Sequence, residues 1–283
     1  DRQAPPGEPA AWLFTSPLDC LKVFDAPSLA AALQAIESDA LWTVAALDYE
    51  LGYLQEPAAA PAGWAPDAQR PLARFWRFAE CRQLTAAEAE AWLAEHTSAS
   101  PAGIGGLTAG IDESAYAAAV DRIKQYISAG DCYQVNFTFP LNFEWFGQPL
   151  ALYARLRARQ PVRYGGFVGN EASAIISLSP ELFLQRQGER LLTRPMKGTA
   201  PRHLSPDVLR QSAKDRAENL MIVDLLRNDL GRVAVNGSVK VDRLCDIEAY
   251  PTVWQMVSEI SAKVGSARSA CSNSMATPKA ATA

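Results

Sequence analysis

From residue 112 onward the apolar positions change period several times, and this constrains the fold more than any other feature of the chain. Behind Asp112, Tyr116, Val120, Ile123 and Ile127 recur at helical spacing, and Gly130 supplies a left-handed stop. Directly afterwards Tyr133, Val135, Phe137 and Phe139 alternate with Gln134, Asn136 and Thr138, the period of two expected of a strand with one polar face. A helix is expected over 150–159, then strand-like runs at 164–168, 174–178, 181–185 and 191–193. Ser205-Pro206-Asp207 starts a long helix, broken once, that continues to Gly231. Runs at 232–235 and 238–241 flank Asn236-Gly237, a hairpin signal, and 252–264 reads as strand because Val, Thr and Trp crowd its start. Strands and helices in this irregular order argue an α+β fold and not a regularly alternating parallel sheet.

Residues 1–100 are rich in alanine and proline. Apolar runs at 41–54 and 72–78 are separated by a Pro/Ala/Gly stretch at 56–71 that reads as a surface loop. Thr85 with Glu88 three residues later is a capping box for a helix over 86–95, and the Gly/Ser-rich segment 97–110 reads as a linker. The expected division is therefore an N-terminal region, 1–100, a second region, 101–264, and a tail. The tail, 265–283, is a Ser/Ala/Thr tract with one large apolar residue, Met275, and is expected to be unstructured. The first residue is Asp1, so the sequence reads as a fragment.

Composition narrows the chemistry. Lysine and arginine total 27 against 31 aspartates and glutamates, a formal charge of −4, which argues against nucleic acid as a partner. The five cysteines are scattered and never paired as C-x-x-C, so neither a disulfide framework nor a zinc site is suggested, and a reducing cytoplasm is the expected location. With two histidines, His96 and His203, a Ser-His-Asp triad or a histidine metal centre has little material. No apolar run approaches the roughly 20 residues that a bilayer demands, so no membrane association is expected. What remains is chemistry carried by carboxylates and lysine.

Three positions stand out. At about 100° per residue, Met221, Ile222 and Leu225 lie within about 60° of Glu218, which places that carboxylate inside an apolar stripe. A carboxylate there needs a cation or a donor. Asp215, one turn earlier on the same side, makes the pair suited to a hard divalent cation, and a buried ion pair with Lys214 fits the same pattern. Lys197 lies at a Pro/Gly-punctuated turn between Arg194 and Arg202; neighbouring cations and partial burial favour the neutral amine that attacks carbon, whereas a solvated basic loop is the plain alternative. Glu181, after Ser179-Pro180 at a strand start, is a further acid or base candidate.

The segments SLSPELFL (177–184), RPMKGTAPR (194–202), KDRAENLMIVDLLRNDLGRV (214–233) and YPTVWQMVS (250–258) resemble the chorismate-utilising enzymes. LDYELGY (47–53) and ISAGDCYQVNFTFPL (127–141) support the match, which extends over roughly residues 10–264. Within that family the chain is most similar to the branch that aminates chorismate on the way to para-aminobenzoate and folate.

The resemblance implies two packed, mostly antiparallel sheets with flanking helices and a magnesium-dependent chorismate site. Lys197 of P-M-K-G-T would attack C2 of the ring and expel the C4 hydroxyl, Glu181 would protonate that hydroxyl, and ammonia would then add at C4. Glu218 would ligate Mg²⁺ with Asp215 supporting it, the backbone at Gly198 and Thr199 would contact substrate, and a separate glutamine amidotransferase would supply the ammonia. The relatives separated by the lysine are the anthranilate synthases, which carry alanine there; isochorismate synthases match less well through Q-V-N-F-T and D-L-L-R-N-D. Family chains normally continue beyond the equivalent of Val264, so the expectation is an incomplete fold, aggregation-prone and inactive alone, or a non-catalytic remnant that binds the amidotransferase. Gln255 stands where many relatives have histidine, and Leu13-Phe14-Thr15-Ser16 only loosely matches a tryptophan-sensing motif.

Overall fold

The computed structural model describes residues 10–170 and 172–265. The expected tail lies, from 266 onward, outside the described residues. In chain order the elements begin with β1 (Ala11–Leu13), β2 (Asp19–Val23), α1 (Ala26–Ser38), β3 (Trp42–Leu47), a one-turn α2 (Gly52–Gln55), β4 (Ala73–Phe78), β5 (Arg82–Leu84) and α3 (Ala86–His96). There follow β6 (Gly103–Ala109), α4 (Glu113–Ala129), β7 (Leu141–Phe146), α5 (Pro149–Arg159), β8 (Tyr164–Gly169) and β9 (Ala174–Ser179). The last group is β10 (Leu182–Gln187), β11 (Arg190–Arg194), β12 (Met196–Pro201), α6 (Asp207–Gln211), α7 (Ala213–Gly231), β13 (Lys240–Ala249) and β14 (Val253–Lys263). The chain divides into two compact units, one containing residues 10–89, 160–166 and 177–265, the other 90–159 and most of 167–176. The fold is α+β, as its irregular element order predicts.

In the first unit, β2, β4 and β3 form an antiparallel sheet whose core joins Val23, Ala73 and Phe75 to Leu29 and Ala32 of α1. Its five-stranded sheet is organised around β14. β13 runs along one edge of that strand, while β11 and β12 lie end to end along the other. Pro195 separates β11 from β12 because proline has no N–H for the ladder, although its carbonyl still accepts from the Ser258 N–H at 3.1 Å. A strand paired on both edges reads as a nearly continuous buried run, and Met256, Val257, Ser258, Ile260, Ser261 and Ala262 are all buried. Val223 and Leu230 of α7 pack on Leu191, Ile260 and Ala262, and Leu209 of α6 packs on Ala200 and Met256. Each fully buried side chain of this size contributes roughly 1.5–3 kcal/mol.

The second unit holds the β6–β7 ladder with α4 and α5. Here two expectations fail. Segment 97–110 is not a linker throughout, since Gly103–Ala109 pairs with β7; its glycines permit a strand when a partner is present. Residues 133–139 form no strand, because alternation makes a chain extended but only a ladder partner makes it a strand. Phe137 and Phe139 instead contact the ring of Tyr116 on α4 at centroid separations of 5.9 Å.

The hairpin expected at Asn236-Gly237 also does not form. Gly237 does turn the chain, with φ +77°, but Val235 N–H donates to the Lys263 carbonyl at 2.8 Å, and β13 takes β14 as its partner. The break in the long helix falls at Ser212, whose hydroxyl accepts from the Asp215 N–H and restarts the helix as α7. Among the described residues no helix is long and apolar enough to cross a membrane.

Three helix starts carry carboxylate caps. Asp25 accepts from the side chain and N–H of Ser28, Glu88 from the N–H and hydroxyl of Thr85, and Asp112 from the Ala115 N–H and the Ser114 hydroxyl. These bonds hold each carboxyl below its ordinary range. A lowered folded-state value means stability that is present above the unfolded-state pKa, about 4, and lost as pH falls through the lower folded value. Replacing all three caps by their amides (Asp25→Asn, Glu88→Gln, Asp112→Asn) is therefore expected to shrink the fall in urea midpoint between pH 6 and pH 3. An equal fall in both proteins would contradict this.

Candidate active site

The segment from Arg194 to Pro201 passes between β14 and the first turns of α7, and the close packing is possible because residue 198 is glycine. Its φ is +95°, and a Cβ there would lie 3.0 Å from the Asp215 Cβ, 3.3 Å from the Met256 Cβ and 3.4 Å from the Asp215 Cγ. A side chain would make contacts tighter than ordinary van der Waals distance, so that Asp215 or Met256 would have to give way by a few tenths of an ångström, and it would occupy a backbone region that L residues rarely adopt. Lys197 is half-buried beside this contact. Thr199, next in the strand and exposed, donates its hydroxyl hydrogen to Gln255 Oε1 on β14 at 2.9 Å.

Glu181 enters from the start of β10. The Met196 N–H donates to its Oε1 at 3.0 Å, so its carboxylate is tied to the residue immediately before Lys197. Ser179, the first residue of S-P-E, shapes this corner: its hydroxyl accepts from the Glu181 N–H at 3.2 Å. Asp215 is brought against Gly198 from the N-terminal turn of α7, and Glu218, half-buried, follows three residues later. The structure thus links Glu181 to the Lys197 strand through Met196, and Asp215 to it through Gly198, with Glu218 on the same helix.

The stripe proposed for Glu218 needs correction. Asn219, Val223 and Leu230 are the buried positions of α7, with Leu226 packed against that core, so the buried face is centred about 110° around the helix from Glu218. Met221 and Ile222 are half-buried and Leu225 is exposed. Glu218 therefore borders the core and is not sunk in it. The bracketing arginines also differ from expectation, since each has its own partners. Arg194 is buried, pairs with Glu248, lies 3.2 Å from Glu259 through Nε and donates to the Tyr164 hydroxyl at 3.4 Å; the Arg202 guanidinium lies 3.6 Å over the Trp254 ring. They do not form an uncompensated cationic frame around Lys197.

Two features of the site have no counterpart in the motifs. Glu248 draws Arg194, Arg163 and Arg243 around one carboxylate, and Asn219 and Ser258 form a fully buried polar pair at 2.5 Å. Only Asn219 left a legible signal, as a polar residue about 100° around the helix from Glu218, on the side where Val223 and Leu230 recur. For a cation, Asp215 and Glu218 offer hard oxygen donors one helical turn apart. Among the described residues no group of three or more Asp, Glu, His or Cys side chains is placed to hold a metal. Such a pair fits Mg²⁺ that completes its shell with water and ligand oxygens, not a closed protein cage.

Residues 15–274 match the family of chorismate binding enzymes. Aminodeoxychorismate synthase component 1 of Escherichia coli (strain K12) is 43% identical over 150 residues, covering 50% of this chain and 33% of that protein. Anthranilate synthase component 1 of Streptomyces coelicolor is 37% identical over 183 residues, 61% of this chain and 36% of that protein. The chain thus aligns with about a third of the length of these curated relatives. In fold it is similar to anthranilate synthase component I from Streptococcus pneumoniae TIGR4, with a TM-score of 0.71, 18% identity, and coverage of 93% of this chain and 71% of that one.

The contact at Gly198 is testable against a second glycine of positive φ. A Cβ at Gly188, φ +58°, would meet nothing within 4 Å. Gly188→Ala is expected to cost only the left-handed backbone penalty, about 1–2 kcal/mol. Gly198→Ala adds tight contacts with Asp215 and Met256 and should lower the urea midpoint further. Equal midpoints would show that β12 and α7 do not touch as described.

Proposed function

The chain belongs to the family of chorismate binding enzymes, and we propose that it is the aminase component that converts chorismate and ammonia to 4-amino-4-deoxychorismate, toward para-aminobenzoate and folate. The observation that carries this reading is Lys197 itself, set in P-M-K-G-T one residue after the amide that holds Glu181. The 43% identity to a protein named aminodeoxychorismate synthase component 1 supports it.

The Lys197 amine attacks ring C2, the ring π electrons shift toward C4, and the C4–O bond breaks. Glu181 gives its proton to the departing hydroxyl, which leaves as water, a role general acids fill with rate factors of about 10²–10⁴. Ammonia then adds at C4 and gives up a proton that restores Glu181, the electrons return toward C2 and the C2–lysine bond breaks, so that one ammonia enters and one water leaves. The anchoring of Glu181 through one oxygen supports this assignment, since the Met196 amide holds the carboxyl beside the nucleophile's strand.

Glu218, with Asp215 behind it, would hold Mg²⁺, which when bound offsets the negative charge of the substrate's ring carboxylate. Having no side chain, Gly198 allows close approach to its backbone, in keeping with substrate contact at Gly198 and Thr199. A separate glutamine amidotransferase supplies ammonia, a reading supported by the designation of the relatives as component 1. The cytoplasm is the proposed location.

The test is product analysis with chorismate, ammonium and Mg²⁺ on a polypeptide of full family length carrying this sequence. The expected product is 4-amino-4-deoxychorismate, lost on Lys197→Ala and reduced about 10²–10⁴-fold on Glu181→Gln. Anthranilate as the sole product, or undiminished output from Lys197→Ala, would overturn the assignment.

A further inference from the structure

Asn219 follows Glu218 on α7 and has no solvent exposure. Its side-chain oxygen accepts from the Ser258 hydroxyl at 2.5 Å and from the Cys245 thiol at 3.6 Å, and its amide nitrogen donates to the Met256 carbonyl at 3.4 Å. Ser258, also fully buried, accepts at Oγ from the Cys245 N–H at 3.0 Å and donates its own N–H to the Pro195 carbonyl at 3.1 Å. Cys245 has φ +54° at an irregularity in the β13–β14 register, so the backbone bends to bring its N–H to Ser258. Hydrogen bonds thus run from the residue beside Glu218 to the residue two before Lys197.

Apolar packing at 219 and 258 together would hold α7 on β14 about as stably, whereas removing either polar partner alone leaves the other buried and unpaired. Apolar packing would also be non-directional, leaving the helix free to slide or turn slightly on the sheet. We infer that Asn219 is a positioning residue: with Ser258 it fixes the register of α7 against β12 and β14, so that Asp215 and Glu218 keep a set position relative to Gly198 and Lys197. This deepens the proposed function and rests on reading Lys197 and Glu218 as parts of one site.

The test uses Asn219→Leu, and Ser258→Ala as a second variant that cuts the same link from the strand side. Two readouts are needed: kcat and KM for chorismate, and the rate at which an amine-reactive label modifies Lys197, followed by peptide mass spectrometry. The expectation for the folded variants is a kcat about 10–100-fold lower, as is typical when groups behind a site's ligands are removed, with KM much less affected. The Lys197 labelling rate should change while those of exposed lysines such as Lys124 stay the same. Both variants should show this, and the double variant should be no worse than the more severe single one. Unchanged kcat, or unchanged Lys197 labelling in a folded variant, would reduce Asn219 to a packing residue. If the unmodified protein makes no aminodeoxychorismate, the functional reading fails, while the labelling still decides the positional claim by itself.

Discussion

The structure around the site depends on one close approach, the passage of β12 beneath the first turns of α7 at Gly198. The Asp215 side chain comes this near the strand because residue 198 has no side chain and accepts a positive φ. The approach sets Asp215 against the strand, puts Glu218 one turn further along, and leaves Lys197 beside the contact. Glu181 is held by the amide of Met196. The three chemically reactive side chain types thus depend on strand geometry before they depend on one another.

That geometry is stabilised in two ways. Apolar burial does the bulk work, through Val223 and Leu230 of α7 on Ile260 and Ala262 and through Leu209 on Met256. It resists separation but is tolerant of small shifts. Orientation comes from polar groups kept inside: the Asn219–Ser258 pair, and the buried Arg194 with Glu248 and Glu259. Such pairs are weak sources of net stability, because desolvation offsets most of their attraction. Their partners are nonetheless fixed in direction, which suits the proposed site, where an amine and carboxylates would be held at defined spacing.

Much of this was legible in the sequence where the signal was local. The capping box at Thr85 and Glu88, the Asp112 cap with its Gly130 stop, and the break before α7 all depend on residues within a few positions of one another. The short strands β8 to β11 were legible within a residue or two for the same reason. What was not legible depends on distant partners. Residues 133–139 alternate but find no ladder, 103–109 look like a linker but pair with β7, and the turn at Gly237 attaches to the end of β14. At the site, the motifs P-M-K-G-T and S-P-E were visible as words, but not that Met196 holds Glu181 or that Gly198 faces Asp215. Glu218 lies in an apolar stripe that exists on the helix but is not the face that packs; which stripe is buried is decided by β14, distant in sequence.

The central claim is that the Lys197 amine acts as a nucleophile, with the proton on Glu181 freeing its leaving group. Rapid acid quenching after mixing with chorismate and Mg²⁺, without ammonia, followed by peptide mapping, tests it most directly. The account predicts that the peptide containing Lys197 gains the mass of chorismate less one water, and that the gain disappears when ammonia is added before quenching. Turnover of chorismate with this lysine unmodified at every time point, or an adduct confined to another residue, would contradict it.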